Sequence, residues 1–192
     1  MNKIIKIAIG IFAFTILLAG AAIAYNILSD RVVPDNGIGL ADSTGSISDD
    51  NKTDKQKAPD FTMTDSSGNT VKLSDMLGKP IILNFWASWC PPCKDEMPEF
   101  DKVFKELGSE IQFMMIDLTD GQRETIETGS KYIKEQGYSF PVFFDTTQDG
   151  TMQYGIRSIP TTLFIDKDGY IITGSQGAIN EDTLRKGIDM LR

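Results

Sequence analysis

The sequence predicts an α/β domain, a three-layer sandwich around a central mixed β-sheet. Continuous apolar runs of buried-strand length alternate with amphipathic segments of helix length. Near the C-terminus this alternation gives way to a hairpin with an Asp-Gly turn and a closing helix, which adds antiparallel strands. The two cysteines, Cys90 and Cys93, fall between an apolar run and a helical segment. Open α/β sheets place their functional sites at such strand ends.

The elements are predicted in order along residues 58–192. Strands are predicted from alternating or continuous apolar runs, and helices from apolar residues that recur every three or four positions. The predicted strands cover residues 60–64, 70–73, 80–87, 111–118, 140–144, 161–166 and 170–174. The predicted helices cover residues 74–78, 92–107, 122–136, 148–154 and 181–191. The first two strands form an N-terminal β-hairpin that extends the sandwich, and Asn180 caps the last helix.

An uncharged apolar segment lies near the start of the chain. Residues 7–29 carry no charge, and Lys3 and Lys6 precede them. A helix of this length can span a bilayer, and the basic flank places its N-terminus in the cytoplasm. We therefore expect residues 1–28 to be a single-pass signal anchor in the cell membrane, with the following domain on the extracytoplasmic side. The alternative is a protein secreted after cleavage near Ala24, since small residues there suit a signal peptidase.

Residues 29–57 are rich in Asp, Ser, Gly, Thr and Asn. They cannot bury enough apolar surface to order themselves, so we expect a disordered polar linker. Residues 58–192 then form one domain of ordinary size. The chain has a net charge of −8 and no basic stripe, and we therefore expect no nucleic-acid partner.

The cysteines are the only two in the chain, and they form the run Cys90-Pro91-Pro92-Cys93. Such a pair between a strand and a helix is typical of dithiol–disulfide exchange. Three alternatives are weaker. A structural disulfide across so short a loop stabilises little, and structural zinc needs four ligands in a chain that has no histidine. The flanking Trp89 and prolines also make a poor core segment for inert thiols.

In thiol–disulfide exchange one thiolate attacks and a second thiol resolves the mixed disulfide. We expect Cys90 at the helix N-terminus, where unpaired N–H groups and the helix dipole stabilise a thiolate. Pro91 and Pro92 suit the first helical turn, where a missing N–H has no consequence. Cys90 is therefore predicted to attack, and Cys93, one turn further along and more buried, to resolve.

Further motifs accompany the cysteines. They are Ala58-Pro59-Asp60-Phe61, Asn84-Phe85-Trp86-Ala87-Ser88-Trp89-Cys90-Pro91-Pro92-Cys93-Lys94, Glu96-Met97-Pro98 and Tyr154-Gly155-Ile156-Arg157-Ser158-Ile159-Pro160-Thr161-Thr162. On these motifs the chain resembles the thioredoxin superfamily, and more closely its TlpA-like, redoxin-related branch of exported, often membrane-anchored thiol-disulfide oxidoreductases. The resemblance covers essentially all of residues 58–192 and implies a thioredoxin-like fold.

The resemblance also implies roles around the redox-active Cys90–Cys93 disulfide. Pro160 would be cis and lie against the disulfide, the alternative being an ordinary trans proline. Backbone groups of Ile159 would pair with an extended client segment, and Trp89 would pack beside the sulfur unless it is a core aromatic. The expected client-binding residues are Trp89, Pro91, Pro92, Ile159 and Pro160.

One residue departs from thioredoxin. Thioredoxin has a buried aspartate, which assists proton transfer from the resolving cysteine, where this chain has Asn84. Because Asn84 does not titrate, we predict that Glu96, three residues after Cys93, takes this catalytic role. The alternative is a solvated glutamate in the first helical turn, favoured by the helix dipole.

The sequence therefore predicts an extracytoplasmic protein-disulfide reductase that needs no cofactor and no metal. The resemblance implies client proteins with disulfides, such as apocytochrome c or partner oxidoreductases, and a membrane electron donor that re-reduces the pair. A disulfide-forming oxidase is the first alternative, because the sequence does not set the direction of electron flow. A thiol peroxidase lacks its Pro-x-x-x-Thr run before Cys90, and a copper metallochaperone lacks its histidine ligand.

Overall fold

The computed structural model describes residues 56–191. The predicted anchor, residues 1–28, and all but the last two residues of the predicted linker lie outside the described residues. Those two residues contact the sheet: Ile171 N–H donates to Gln56 O at 2.8 Å, and Lys57 forms an isolated β-bridge with Tyr170. No helix within residues 56–191 has the length and apolar character needed to cross a membrane.

A seven-stranded mixed sheet forms the centre of the domain. Its strands are β1 (Thr62–Asp65), β2 (Thr70–Lys72), β3 (Ile81–Trp86), β4 (Gln112–Asp117), β5 (Val142–Phe144), β6 (Thr161–Ile165) and β7 (Ile171–Gln176). Their order across the sheet is β2-β1-β5-β4-β3-β6-β7, with β3, β4 and β5 parallel and the other pairs antiparallel. The hairpin β1–β2 extends the edge at β5. The predicted fold class is confirmed.

Four α-helices and a 3-10 helix accompany the sheet. They are α1 (Pro91–Leu107), α2 (Ile126–Gln136), α3 (Asp149–Gln153), α4 (Glu181–Asp189) and the 3-10 helix Leu73–Met76. Asn180 caps α4 as predicted, because its Oδ1 accepts from Thr183 N–H at 3.0 Å. Helix α2 begins four residues later than predicted, because Asp120 Oδ1 accepts from the N–H groups of the three residues 122–124 and closes a separate turn.

The alternation of side chains along β3 divides the core in two. Ile82 and Trp86 face one hydrophobic cluster, which residues of α1, α2 and α4 complete. Ile81, Leu83 and Phe85 face the other cluster, which includes residues of the 3-10 helix and of the segment after α3. This arrangement makes the three layers. By the same period of two, Asn84 points to the α1 face, where it meets a side chain of that helix.

Candidate active site

The two cysteines form a disulfide at the carboxyl end of β3, where α1 begins. Cys90 is the N-cap of α1, and its Sγ accepts from Cys93 N–H at 3.2 Å. Both residues are buried: Cys90 is 2% exposed and Cys93 is fully buried. An attacking sulfur at a helix N-terminus receives N–H groups and the positive end of the helix dipole, which favour the thiolate over the thiol.

The two prolines occupy the first two positions of α1 and are exposed. At these positions a backbone N–H has no partner within the helix, so proline starts α1 without losing a hydrogen bond. Trp89, before the N-cap, remains 37% exposed, and its ring lies 3.4 Å from the centre of the Arg123 guanidinium group. Trp89 is therefore a stacked surface side chain beside the disulfide and not a core aromatic.

The segment before β6 forms the opposite wall of the site. The Ile159–Pro160 peptide bond is cis, in agreement with the resemblance. Ile159 O lies 3.7 Å from Cys90 Sγ, and Pro160 is buried. Alongside is an open cleft of about 440 Å³, whose lining includes Trp89 and Ile159. Two of the residues that the sequence analysis proposes for client binding therefore line this cleft.

Glu96 is buried behind the disulfide and is not the solvated glutamate of the alternative prediction; its exposed fraction is 2%. One carboxyl oxygen accepts from Asn84 Nδ2 at 2.8 Å, and the other from Ile179 N–H at 2.9 Å. Asn84 Nδ2 also lies 3.0 Å from Thr162 Oγ1, which ties the group to β6. Asn84, which stands where thioredoxin has a titratable residue, therefore contacts Glu96, the residue proposed to take over its role.

Burial raises the pKa of Glu96 to about 7. The hydrogen bonds from Ile179 and Asn84 favour the charged form and lower the pKa, but their effect is smaller than that of burial. A carboxyl with a pKa near neutrality can both accept and return a proton under physiological conditions. Glu96 lies one helical turn after Cys93, so both side chains project from the same side of α1.

The sequence analysis missed a group of buried polar residues beside the turn that joins β3 to α1. Glu124 is fully buried, and its Oε2 accepts from Ser88 N–H at 3.0 Å and from Ser88 Oγ at 2.8 Å. Asp117, at the end of β4, is also fully buried. Two features of the sequence could have indicated this group: Asp117 near the end of a predicted buried strand, and Gly129 inside a predicted helix.

Comparison with known proteins places the chain in a family. The family model described as AhpC/TSA matches residues 55–173. The chain belongs to the AhpC/TSA family. Among its relatives, the thiol-disulfide oxidoreductase ResA of Bacillus anthracis is 37% identical over 120 residues, which are 61% of this chain and 66% of that protein. The match thus spans just under two thirds of the relative's length.

Solved structures agree with this membership. A thiol:disulfide interchange protein from Chlorobium tepidum aligns with a TM-score of 0.63 and 26% identity, over 73% of this chain and 98% of that one. The pneumococcal exposed lipoprotein thioredoxin of Streptococcus pneumoniae aligns with a TM-score of 0.57 and 32% identity, over 68% and 99%. The predicted thioredoxin-like, TlpA-like character of this AhpC/TSA member is confirmed.

Proposed function

We propose that this AhpC/TSA member is an extracytoplasmic thiol-disulfide oxidoreductase that reduces disulfides of client proteins through Cys90 and Cys93. The observation that carries the proposal is the placement of Cys90: its sulfur caps α1 and lies beside the carbonyl of Ile159, before the cis Pro160. An attacking thiolate and a backbone edge for an extended client are thereby side by side. The exposed lipoprotein relative supports the extracytoplasmic location.

The proposed cycle transfers two electrons from the dithiol to the client. The Cys90 thiolate attacks one sulfur of the client disulfide, a mixed disulfide forms, and the first client sulfur leaves as a thiolate that takes a proton from water. Cys93 then loses its proton to the Glu96 carboxylate and attacks Cys90 Sγ. The second client thiolate leaves, and the protein retains the Cys90–Cys93 disulfide. A dithiol donor in the membrane returns the two electrons by the same exchange in reverse.

The client-binding role is assigned to Trp89, Pro91, Pro92, Ile159 and Pro160. Trp89 and the two prolines are exposed on one side of Cys90, and Ile159 is half-buried on the other. An extended client that pairs with the backbone of Ile159 would lay its disulfide over Cys90, with its flanking side chains on Trp89 and in the adjoining cleft.

A substitution of the resolving cysteine tests the exchange. In Cys93→Ala cells the mixed disulfide at Cys90 has no resolving thiol, so we expect client adducts that a reducing agent releases and mass spectrometry identifies. The Cys90→Ala/Cys93→Ala double variant is the matched control and should yield none. Equal adducts in both variants, or none in either, would contradict the proposed exchange.

The reduction potential tests the direction of electron flow. A reductase needs a potential well below that of a strong oxidant, which is about −120 mV on the scale of characterised dithiol proteins. We expect the purified protein, equilibrated with glutathione mixtures, to fall nearer the reducing end, about −270 to −200 mV. A value near about −120 mV would replace the reductase with a disulfide-forming oxidase.

A further inference from the structure

The turn that joins β3 to α1 rests on a buried carboxyl group. Both polar hydrogens of Ser88 are donated to the same oxygen of Glu124. Cys90 N–H donates to Ala87 O at 3.1 Å, so the turn is fixed on both sides of Trp89. The neighbour of Glu124 in the chain, Arg123, stacks on that Trp89 ring. Arg123 thus holds Trp89, and Glu124 holds Ser88. These are the two residues that precede the attacking cysteine.

A second carboxyl group, that of Asp117, lies against the first. Asp117 Oδ1 accepts from Thr119 Oγ1 at 2.8 Å, whereas Oδ2 is buried and no donor group among the described residues reaches it. Its neighbour is the carboxyl of Glu124, since Asp117 Oδ2 and Glu124 Oε1 both face the Cβ position of Gly129. Two carboxylates can only accept, so a hydrogen bond between them requires a proton on one. None of the ion pairs found in residues 56–191 involves either group.

The hydrogen-bond donors indicate where that proton lies. Glu124 accepts three hydrogen bonds, two from Ser88 and one from Thr128 Oγ1 at 3.1 Å. Asp117 accepts one, from Thr119. Because each donor favours the charged form of its acceptor, Glu124 is the carboxylate and Asp117 the acid. Burial and the Glu124 charge raise the pKa of Asp117 to about 8.

The site is sealed by close packing of α2. A Cβ built at Gly129 would overlap Asp117 Oδ2 and would lie 3.3 Å from Glu124 Oε1. Only glycine at this position therefore allows α2 to pack so close to the two carboxyl groups. The other charged groups at this end of the sheet are acidic or already engaged. Asp120 adds negative potential at Asp117, and the buried carboxylate of Asp145 accepts from the N–H groups of residues 150 and 151.

We propose that Asp117 and Glu124 are a proton-sharing positioning pair, in which the shared proton keeps Glu124 seated under Ser88 and its loss releases the turn that aims Cys90. This inference rests on the proposed function for its effect on exchange, but the pair itself does not. When the Asp117 proton passes to hydroxide, two negative charges face each other in a buried site. The favourable response is for one carboxylate to move out, and Glu124 then breaks its bonds to Ser88.

Fluorescence of the oxidised full-length protein between pH 5 and 10 tests the pair, since disulfide-bonded cysteines do not titrate. Trp86 reports on it directly, because Trp86 pairs with Asp117 in the β3–β4 register. We expect one change near pH 7 from Glu96 and another near pH 8 from Asp117. Asp117→Asn should abolish only the upper change, because its amide donates to Glu124 at every pH.

Glu124→Gln provides a second variant, in case the first fails to fold. Its carbonyl oxygen can still accept from Ser88 while its amide donates to an ionised Asp117, so it also abolishes the upper change. Glu127→Gln, an exposed substitution in the same segment, is the matched control and should retain both changes. Persistence of the upper change in Asp117→Asn or in Glu124→Gln, or its loss in Glu127→Gln, would overturn the shared proton.

Alkylation of the reduced protein by iodoacetamide tests the positioning of Cys90 without any client. We expect the ratio of wild-type to Asp117→Asn rate constants to fall at least threefold between pH 7 and pH 9, since thiolate formation is common to both proteins. A constant ratio would overturn the positioning role. If the ratio falls while no client disulfide is reduced, the pair stands and the proposed reductase function fails.

Discussion

The carboxyl groups at the redox end of the sheet differ from those on the outer face of α1 and α4. Glu96, Asp117 and Glu124 are buried and have no Lys or Arg partner among the described ion pairs. On the outer face, Arg185 Nη2 lies 2.6 Å from Glu106 and 2.9 Å from Glu181. These three buried carboxyls thus lack the ion pairs that Glu106 and Glu181 have.

The contrast predicts that the two sets of carboxyl groups affect stability differently. A carboxylate without a cation in an apolar environment destabilises the folded state, and its pKa rises as a consequence. A paired surface carboxylate contributes little in either direction, because water already solvates it well. The domain should therefore gain stability when Glu96 is neutralised, and the outer face should hardly respond to the loss of an ion pair.

Glu96→Gln should give the largest effect. The folded-state pKa of Glu96, about 7, lies above its ordinary 4.5, so the stability that this group contributes is fully present below pH 4.5 and is lost as the pH rises through 7. Removing the charge should stabilise the protein at pH 8 by up to about 3 kcal/mol. Asn84 Oδ1, buried without a hydrogen-bond partner, offers the new amide an acceptor.

Urea unfolding at pH 4 and pH 8 measures this difference, which should be near zero at pH 4. Glu99→Gln, a half-buried position on the same helix, is the control and should show no such pH dependence. Glu96→Gln should also lower the rate of client disulfide reduction by about tenfold or more, because an amide cannot take the Cys93 proton. A Glu96→Gln protein that is less stable at pH 8, or equally active, would contradict the functional interpretation.

The sequence was sufficient for the sheet and for part of the site. All seven strands follow from alternating or continuous apolar runs of strand length, the patterns that half-buried and fully buried strands require. Glu96 follows from its spacing to Cys93, but its burial does not, since that depends on Ile179, whose N–H reaches it from 83 residues away in the chain. A solvated and a buried glutamate have the same local sequence.

The acidic pair was not predictable in the same way. Asp117 and Glu124 stand seven residues apart, one near the end of the predicted strand 111–118 and the other near the start of the predicted helix 122–136. Their contact depends on the β3–β4 register, which places Asp117 beside Trp86, and on the close approach of α2 at Gly129. The packing of β3 and α2 around the two residues sets this contact, and that packing leaves no periodicity in the sequence.

Ser88→Ala should have an intermediate effect and tests the buried side of the comparison. The variant loses the Oγ hydrogen bond to the Glu124 carboxylate but retains the N–H bond. A hydrogen bond to a charged acceptor contributes about 1.5–3 kcal/mol, and we expect a loss of about 2 kcal/mol in urea unfolding at pH 7. Ser130→Ala, exposed on α2, is the control and should be neutral. A neutral Ser88→Ala would show that Glu124 does not anchor the turn.

Arg185→Ala should have the smallest effect, although it breaks two ion pairs at once. Both glutamate partners remain in water after the substitution, so no charge is left buried and unpaired. We expect the thermal midpoint to fall by less than about 2 °C, and by less still in high salt, where the wild-type pairs are already screened. Calorimetry at low and high salt measures both. If Arg185→Ala lowers the thermal midpoint more than Ser88→Ala does, the outer ion pairs contribute more to the stability of the domain than the buried contacts of Glu124.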